Sequence, residues 1–200
     1  DFGKFAASYN ADRPAINGHA DAGSSTPVPV DHTYKLYYGG GQKRPDGNYS
    51  RTVRNAEGKP ITQVGESNRK DVRNAVESAI SGQAGWAKRS GYNRAQILFY
   101  IAENLELRRN EFADRLTELT GQTKDESSKE VDASIQRLFY WASYADKFGG
   151  TVQETQLYGT VIKIHEPVGV IGISCPDKFP LLGFVSLVAT AVCRSNSVVV

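Results

Sequence analysis

After Pro167 the sequence VGVIGIS, residues 168–174, runs without polar alternation. A strand with one solvated face alternates polar and apolar residues. A strand without alternation is expected to be buried on both faces, which calls for a parallel sheet covered by helices. The next segment meets that demand. Phe179 to Arg194 has the composition of an apolar helix, and Ser197 to Val200 is a second β-branched run. Residues 168–200 therefore read as one βαβ crossover of the usual right hand. The apolar run Phe179–Cys193 is too short to span a bilayer and follows Lys178 directly, so it is expected as a buried helix rather than a membrane span. The fold class is α/β.

The upstream sequence supplies helices. Ser67 or Asn68 is placed to cap a helix whose apolar face is Val72, Ala75, Val76, Ala79 and Ile80, with Asp71 in its first turn. Gly82 and Gly85 are expected to end it. A second helix is expected from about Asn93 to Thr120, with the stripe Ile97, Leu98, Ile101, Leu105, Phe112, Leu116 and Leu119 and a stop at Gly121. A third, from about Asp125 to Phe148, carries Val131, Ile135, Leu138, Phe139, Ala142 and Ala145 on one face and ends at Gly149-Gly150. Glu126, Lys129 and Glu130 in its first turns read as solvated surface. Before these helices, YKLYYGG and PDGNYSRTVRNAEGKPITQVG alternate short strands with turns at Pro45-Asp46-Gly47 and Glu57-Gly58, a small β element. After them, TVQETQLYGTVIKI returns to the strand period around a hairpin at Tyr158-Gly159. Residues 1–33 are rich in Gly, Ala, Ser, Pro and Asp without periodicity and read as linker or extended segment.

Composition narrows the function classes. Of 200 residues, 40% are hydrophobic, enough for a real core. Lys and Arg number 24 against 22 Asp and Glu. That balance, with no basic cluster, gives no support to nucleic-acid binding. The two cysteines, Cys175 and Cys193, sit in the apolar C-terminal part and argue against a disulfide scaffold and for a reducing, cytoplasmic setting. No secretory h-region is visible in residues 1–20. The chain starts at Asp1, contains no Met and ends on SNSVVV, so it reads as a piece of a longer protein.

In an open parallel sheet, ligands sit at the carboxyl ends of strands, against helix N-termini. Ile173, Ser174, Cys175, Pro176, Asp177 and Lys178 occupy such a place. The dinucleotide fingerprint G-x-G-x-x-G is missing, since only Gly169 and Gly172 are present. Read from the residues alone, the turn is a nucleotide site or an ordinary βα connection, and the second reading is favoured. Cys175 has no His-Cys arrangement around it and reads as a small packed residue rather than a nucleophile. His165, before Glu166-Pro167, reads as structural or interfacial. His19 and His32 fall in the linker, and no metal-ligand spacing occurs.

From about Tyr34 to Val200 the chain resembles the aldehyde dehydrogenase superfamily. EGKPITQVGESNRKDVRNAVESAISGQAGW is similar to that family's early strand pair, helix and Trp. ELTGQT falls at its E-x-G-K-P-like junction between long helices. KIHEPVGVIGISCPDKFPLL is similar to its E-P-x-G-V-x-G…P-W-N-F-P signature, and AVCRSNSVVV to its A-G-N-T-V-V strand entry. In detail the chain most resembles aldehyde dehydrogenase family 16, whose members carry a second, degenerate module after a first.

The resemblance implies the N-terminal portion of a Rossmann-type cofactor domain with long helices and a β oligomerisation arm. Residues 34–150 would be its N-terminal strands and helices, 151–167 the arm and 168–200 the first βαβ unit. It implies NAD or NADP as cofactor, contacted mainly by backbone from Ile173 to Lys178, and as partners a homo-oligomer, a preceding aldehyde dehydrogenase module and a possible further protein. The family's Asn in P-W-N-F-P donates to the oxyanion of the thiohemiacetal. Here Asp177 stands at the Trp position and Lys178 at the Asn position. A short, rigid, neutral donor has become a long, flexible cation, and a misplaced donor loses most of its benefit. Asp177 is expected to pair with Lys178 or cap the helix. A Schiff-base role for Lys178 would need desolvation that the surrounding sequence does not supply. The family's nucleophilic Cys, general-base Glu and ribose-binding Lys would all fall beyond Val200. The expectation is a module that is catalytically silent and serves assembly or partner binding. The alternative is part of an active NAD(P)-dependent aldehyde dehydrogenase oxidising aldehydes to carboxylic acids.

Overall fold

The computed structural model describes residues 33–147, 149–156 and 158–200. The linker expected over residues 1–33, with His19 and His32, lies outside the described residues except for Thr33. That residue opens a short strand, β1 (Thr33–Tyr34), which pairs in parallel with β5 (Pro60–Gly65). On its other side β5 pairs antiparallel with β4 (Ser50–Arg54), with a register shift between Val53 and Arg54. β2 (Leu36–Tyr38) and β3 (Gly41–Lys43) form a hairpin turned by Gly39 and Gly40, both at positive φ. The expected turns are present. Asn48 N donates to Pro45 O at 3.0 Å and Gly58 N to Asn55 O at 2.9 Å.

Helix α1 (Arg69–Ala87) starts at Asn68, whose side chain accepts from Lys70 N and Asp71 N. Asp71 completes the capping box and is buried, because its carboxylate also accepts from Asp46 N. It therefore ties the 45–48 turn to the helix. The expected stop at Gly82 and Gly85 does not occur. Each glycine costs about 1 kcal/mol in a helix interior, but the last turn is anchored elsewhere. Trp86 Nε1 donates to Val192 O at 2.9 Å and Gln83 Nε2 to Ser195 O at 3.4 Å.

The long second helix is broken. α2 (Gly91–Leu107) and α3 (Arg109–Thr120) meet at Arg108, with φ −103 and ψ 17. The buried face of α2 is Ala95, Leu98, Ala102 and Leu105. An unbroken helix would next place Arg109 on that face, four residues after Leu105, so continuation would bury a guanidinium. Beyond the break, Ala113 and Leu116 carry the core on. The expected stripe was also misphased at Ile101, which is exposed.

α4 (Lys124–Tyr144) begins with a capping box between Thr123 and Glu126. It buries Ser127, Glu130, Val131, Ser134, Ile135, Leu138 and Ala142. Glu126 and Lys129 are exposed as expected; Glu130 is not. Phe139, expected on the buried face, is partly exposed. One apolar cluster joins Leu105, Leu116, Val131, Ile135 and Leu138 to Val185 and Ala189 of the next helix. α4 is thus the central post against which α2, α3 and the βαβ helix pack.

β6 (Thr151–Glu154) and β7 (Thr160–Lys163) form the expected hairpin, with both strands exposed. His165 lies beyond the end of β7 and is exposed. Then β8 (Val170–Gly172), α5 (Pro180–Cys193) and β9 (Ser197–Val199) form the βαβ unit, with β8 and β9 parallel in the register Val170↔Ser197, Ile171↔Val198 and Gly172↔Val199. The expected double burial is only half met. Val170 and Ile171 are half-buried, because this sheet has two strands. α5 likewise buries Val185, Ala189, Ala191 and Cys193, while Phe184 and Leu187 face outward.

Candidate functional site

The turn after β8 is built from residues with distinct duties. Ile173 N donates to Val199 O at 2.8 Å, so pairing continues one residue past the strand. Cys175 is half-buried; Ser174, Pro176, Asp177 and Lys178 are exposed. Among the described residues, the peptide N–H groups of Ser174, Cys175, Asp177 and Lys178 donate to no protein acceptor. The turn thus presents open backbone donors at the carboxyl end of a parallel strand.

Phe179 closes the turn in the left-handed region, φ 53 and ψ 60, which a bulky side chain seldom adopts. Pro180 then occupies the first helical position, where no N–H is needed. The Pro176 ring lies on the helix backbone at Gly183. A Cβ there would stand 2.6 Å from Pro176 Cγ, so only glycine permits the approach.

Glu130 enters the site from α4. One carboxylate oxygen, Oε1, accepts from Leu181 N at 2.9 Å and Leu182 N at 3.2 Å. The residue is 4% exposed, and Oε2 has no hydrogen-bond partner among the described residues. This carboxylate satisfies helix N–H groups that otherwise lack acceptors and meets the positive end of the α5 dipole. The sequence held a signal for it. Stepping back by four from Ala142 gives Leu138, Ser134 and then Glu130, all on the buried face. Its charge argued for solvent and hid the pattern.

Asp177 does neither thing expected of it. It makes no ion pair with Lys178 among the described residues, and the α5 N-cap has no side-chain cap bond. The place a capping carboxylate would take belongs to Glu130. Lys178 Nζ lies 5.3 Å from the centroid of the Phe179 ring, a cation–π contact on the outside of the turn.

The two thiols differ. Cys193 is fully buried, and burial pushes its thiol up, with Arg194 and Arg94 opposing. Little thiolate is then available at the ordinary working pH. A thiol reagent at mildly alkaline pH is expected to label Cys175 and spare Cys193 in the folded protein, as read by peptide mass mapping. Labelling of both at equal rates would show that the α5 end opens readily.

A separate groove of about 920 Å³ runs between the β2–β3 hairpin, α1 and β9, past Tyr37, Val72, Trp86, Phe184 and Val198. None of Ile173 to Lys178 lines it. The described residues contain no group of three His, Cys, Asp or Glu placed to hold a metal ion, and no helix long and apolar enough to cross a membrane.

A parallel βαβ unit, helices packed on it and an open turn at the carboxyl end of its first strand together define an α/β protein. More narrowly, the chain belongs to the aldehyde dehydrogenase family, whose sequence model matches residues 43–200. It is 31% identical over 175 residues to aldehyde dehydrogenase family 2 member B4, mitochondrial, of Arabidopsis thaliana, covering 86% of this chain and 32% of that protein. It is 32% identical over 149 residues to human retinaldehyde dehydrogenase 3, covering 70% of this chain and 28% of that protein. Among solved structures it is similar to betaine aldehyde dehydrogenase from Staphylococcus aureus in complex with NAD+. The TM-score is 0.80 at 25% identity, over 83% of this chain and 34% of that one. The likeness is to an N-terminal portion of the aldehyde dehydrogenase fold. The chain spans about a third of the length of the curated relatives it matches.

Proposed function

We propose that this chain is the N-terminal part of an aldehyde dehydrogenase-like module that is catalytically silent and works in assembly or partner binding. The observation that carries the reading is Lys178. Where the resemblance places a short amide donor, a long ammonium lies 5.3 Å from the Phe179 ring centroid on the outside of the turn. Oxyanion stabilisation needs a donor fixed within hydrogen-bond distance of the developing charge. A flexible cation held on a neighbouring ring does not supply that.

The residues of the turn nevertheless fit a dinucleotide. The N–H groups of Ser174, Cys175, Asp177 and Lys178 have no protein acceptor among the described residues, and backbone contacts survive side-chain change. Ile173, Ser174, Cys175, Pro176, Asp177 and Lys178 would hold NAD or NADP mainly through main chain. The chemistry that cofactor supplies when bound is hydride acceptance. This open turn also favours the second reading, part of an active NAD(P)-dependent aldehyde dehydrogenase. The degenerate second module of family 16 remains our proposed placement, with residues 1–33 as linker from a preceding module and 151–167 as an oligomerisation arm. The exposed apolar residues Val152 and Ile162 on the two arm strands support a homo-oligomer, and the cytoplasmic setting proposed with it rests on the two cysteines, Cys175 and Cys193, being free.

The test is aldehyde-dependent reduction of NAD+ and NADP+ by the full-length protein and its Lys178→Asn variant. Silence in both is expected. Turnover by the wild type overturns the silent reading and establishes the dehydrogenase. Turnover only after Lys178→Asn would show an otherwise intact site, silenced at this one position.

A further inference from the structure

We propose that Glu130 is the positioning residue of the Ser174–Phe179 turn: its buried carboxylate, lodged at the N-terminus of α5, fixes the backbone that a nicotinamide dinucleotide would contact. The proposal rests on the reading of that turn as a cofactor contact. Three observations converge on it. Phe179 sits in the left-handed region, a strained state that persists only when its surroundings hold it. No side chain of the turn caps α5. The only carboxylate on the first turn of α5 among the described residues is Glu130, with bonds of 2.9 and 3.2 Å to Leu181 N and Leu182 N.

A carboxylate bonded to backbone N–H groups is roughly twice as strong an acceptor as a neutral one. Away from water, such bonds strengthen further. Glu130 is also delivered by a rigid element. Its neighbours Val131, Ser134 and Ile135 are all buried, so the α4 backbone cannot drift without disturbing the core. The helical core is thereby wired to the turn through one side chain. A second consequence follows for any ligand. The Leu181 and Leu182 donors are already engaged by Oε1, and Gly183 N donates to Phe179 O at 2.8 Å. The α5 N-terminus is therefore not open to a phosphate. A dinucleotide must meet this region through the peptide groups of Ser174 to Lys178.

Glu130 acts through the backbone, so its test needs a readout of turn geometry as well as of binding. Cys175 provides one, because it lies inside the turn. In the full-length protein, Glu130→Leu fills the space with an apolar side chain and removes the acceptor, whereas Glu130→Gln keeps a carbonyl oxygen in place. Leu116→Ala in α3 serves as the control for lost stability alone, since that leucine is buried in the core but does not belong to the site. The measurements are the labelling rate of Cys175, hydrogen exchange at the Leu181 and Leu182 amides, and NAD+ affinity by calorimetry.

Glu130→Leu is expected to speed labelling and exchange at least about tenfold and to weaken NAD+ binding by a similar factor, since both bonds to Oε1 are lost. Glu130→Gln is expected to stay within about threefold of wild type on all three readouts. Leu116→Ala is expected to lower the melting temperature and leave the turn readouts unchanged. The proposal is overturned if Glu130→Leu labels and exchanges at the wild-type rate, or if Leu116→Ala accelerates both as much. Should Glu130→Leu not fold, Glu130→Asp carries the same expectation, because a side chain one methylene shorter does not reach the α5 amides. If the wild type binds no NAD+, the cofactor reading alone fails; labelling and exchange still decide the role of Glu130.

Discussion

A Leu138→Ala variant is expected to unfold with about 2–5 kcal/mol less stability than the wild type, the range seen when a buried leucine is truncated and its cavity only partly collapses. Leu138 is 4% exposed and lies where Leu105, Leu116, Ile135, Val185 and Ala189 meet. Its neighbours come from α2, α3 and α5, so no single element can close the void by moving. Measured by denaturant titration, the midpoint is expected to fall while the slope with denaturant stays unchanged, because the surface exposed on unfolding is nearly the same. A loss below about 1 kcal/mol would mean the site collapses freely and the α4 post is less tightly packed than the structure indicates.

Gly183→Ala sets two effects against each other. Alanine gains about 1 kcal/mol over glycine in a helix interior. The added Cβ, however, would stand 2.6 Å from Pro176 Cγ and 2.8 Å from its Cδ. A proline ring cannot swing aside as a flexible chain end does, so the turn itself must move. Overpacking of this kind costs about 1–3 kcal/mol. Clash outweighs propensity, and a net loss of about 1–2 kcal/mol is expected by the same comparison. Faster labelling of Cys175 should accompany it, since that residue precedes Pro176. Stabilisation by the substitution would show that Pro176 rests loosely on α5.

The two lessons legible in sequence were periodicity and buried strand texture. The unalternating run at 168–174 led directly to the parallel pairing of β8 with β9. The spacing of Val131, Ile135 and Leu138 located the face of α4 that forms the core. What failed did so for tertiary reasons. Gly82 and Gly85 read as stops, yet α1 passes through both because Trp86 and Gln83 bond to the far end of α5. Those contacts span more than a hundred residues and leave no local mark. The break at Arg108 was hidden because apolar residues on both sides still fit a single stripe. At the candidate site, the turn lies between strand and helix as the pattern indicates, but its fastening left no local signal. Asp177 was expected to cap the helix from nearby, and Glu130 does so from another helix.

The two ends of α5 are secured by different partners. Glu130 of α4 holds its first amides, while Trp86 of α1, together with Arg94 of α2, takes up carbonyls of Val192 and Cys193 at its last turn. Neither set of donors and acceptors belongs to the βαβ unit. The crossover helix therefore draws part of its terminal satisfaction from three helices that precede it in sequence, alongside the bonds that Asn196 makes to Ala191 O and Arg194 O from within the unit. The bonds to Leu181 N, Leu182 N, Val192 O and Cys193 O are complete only when α4, α1 and α2 are packed against α5. The same linkage means that the crossover and the helical layer are expected to melt in a single thermal transition.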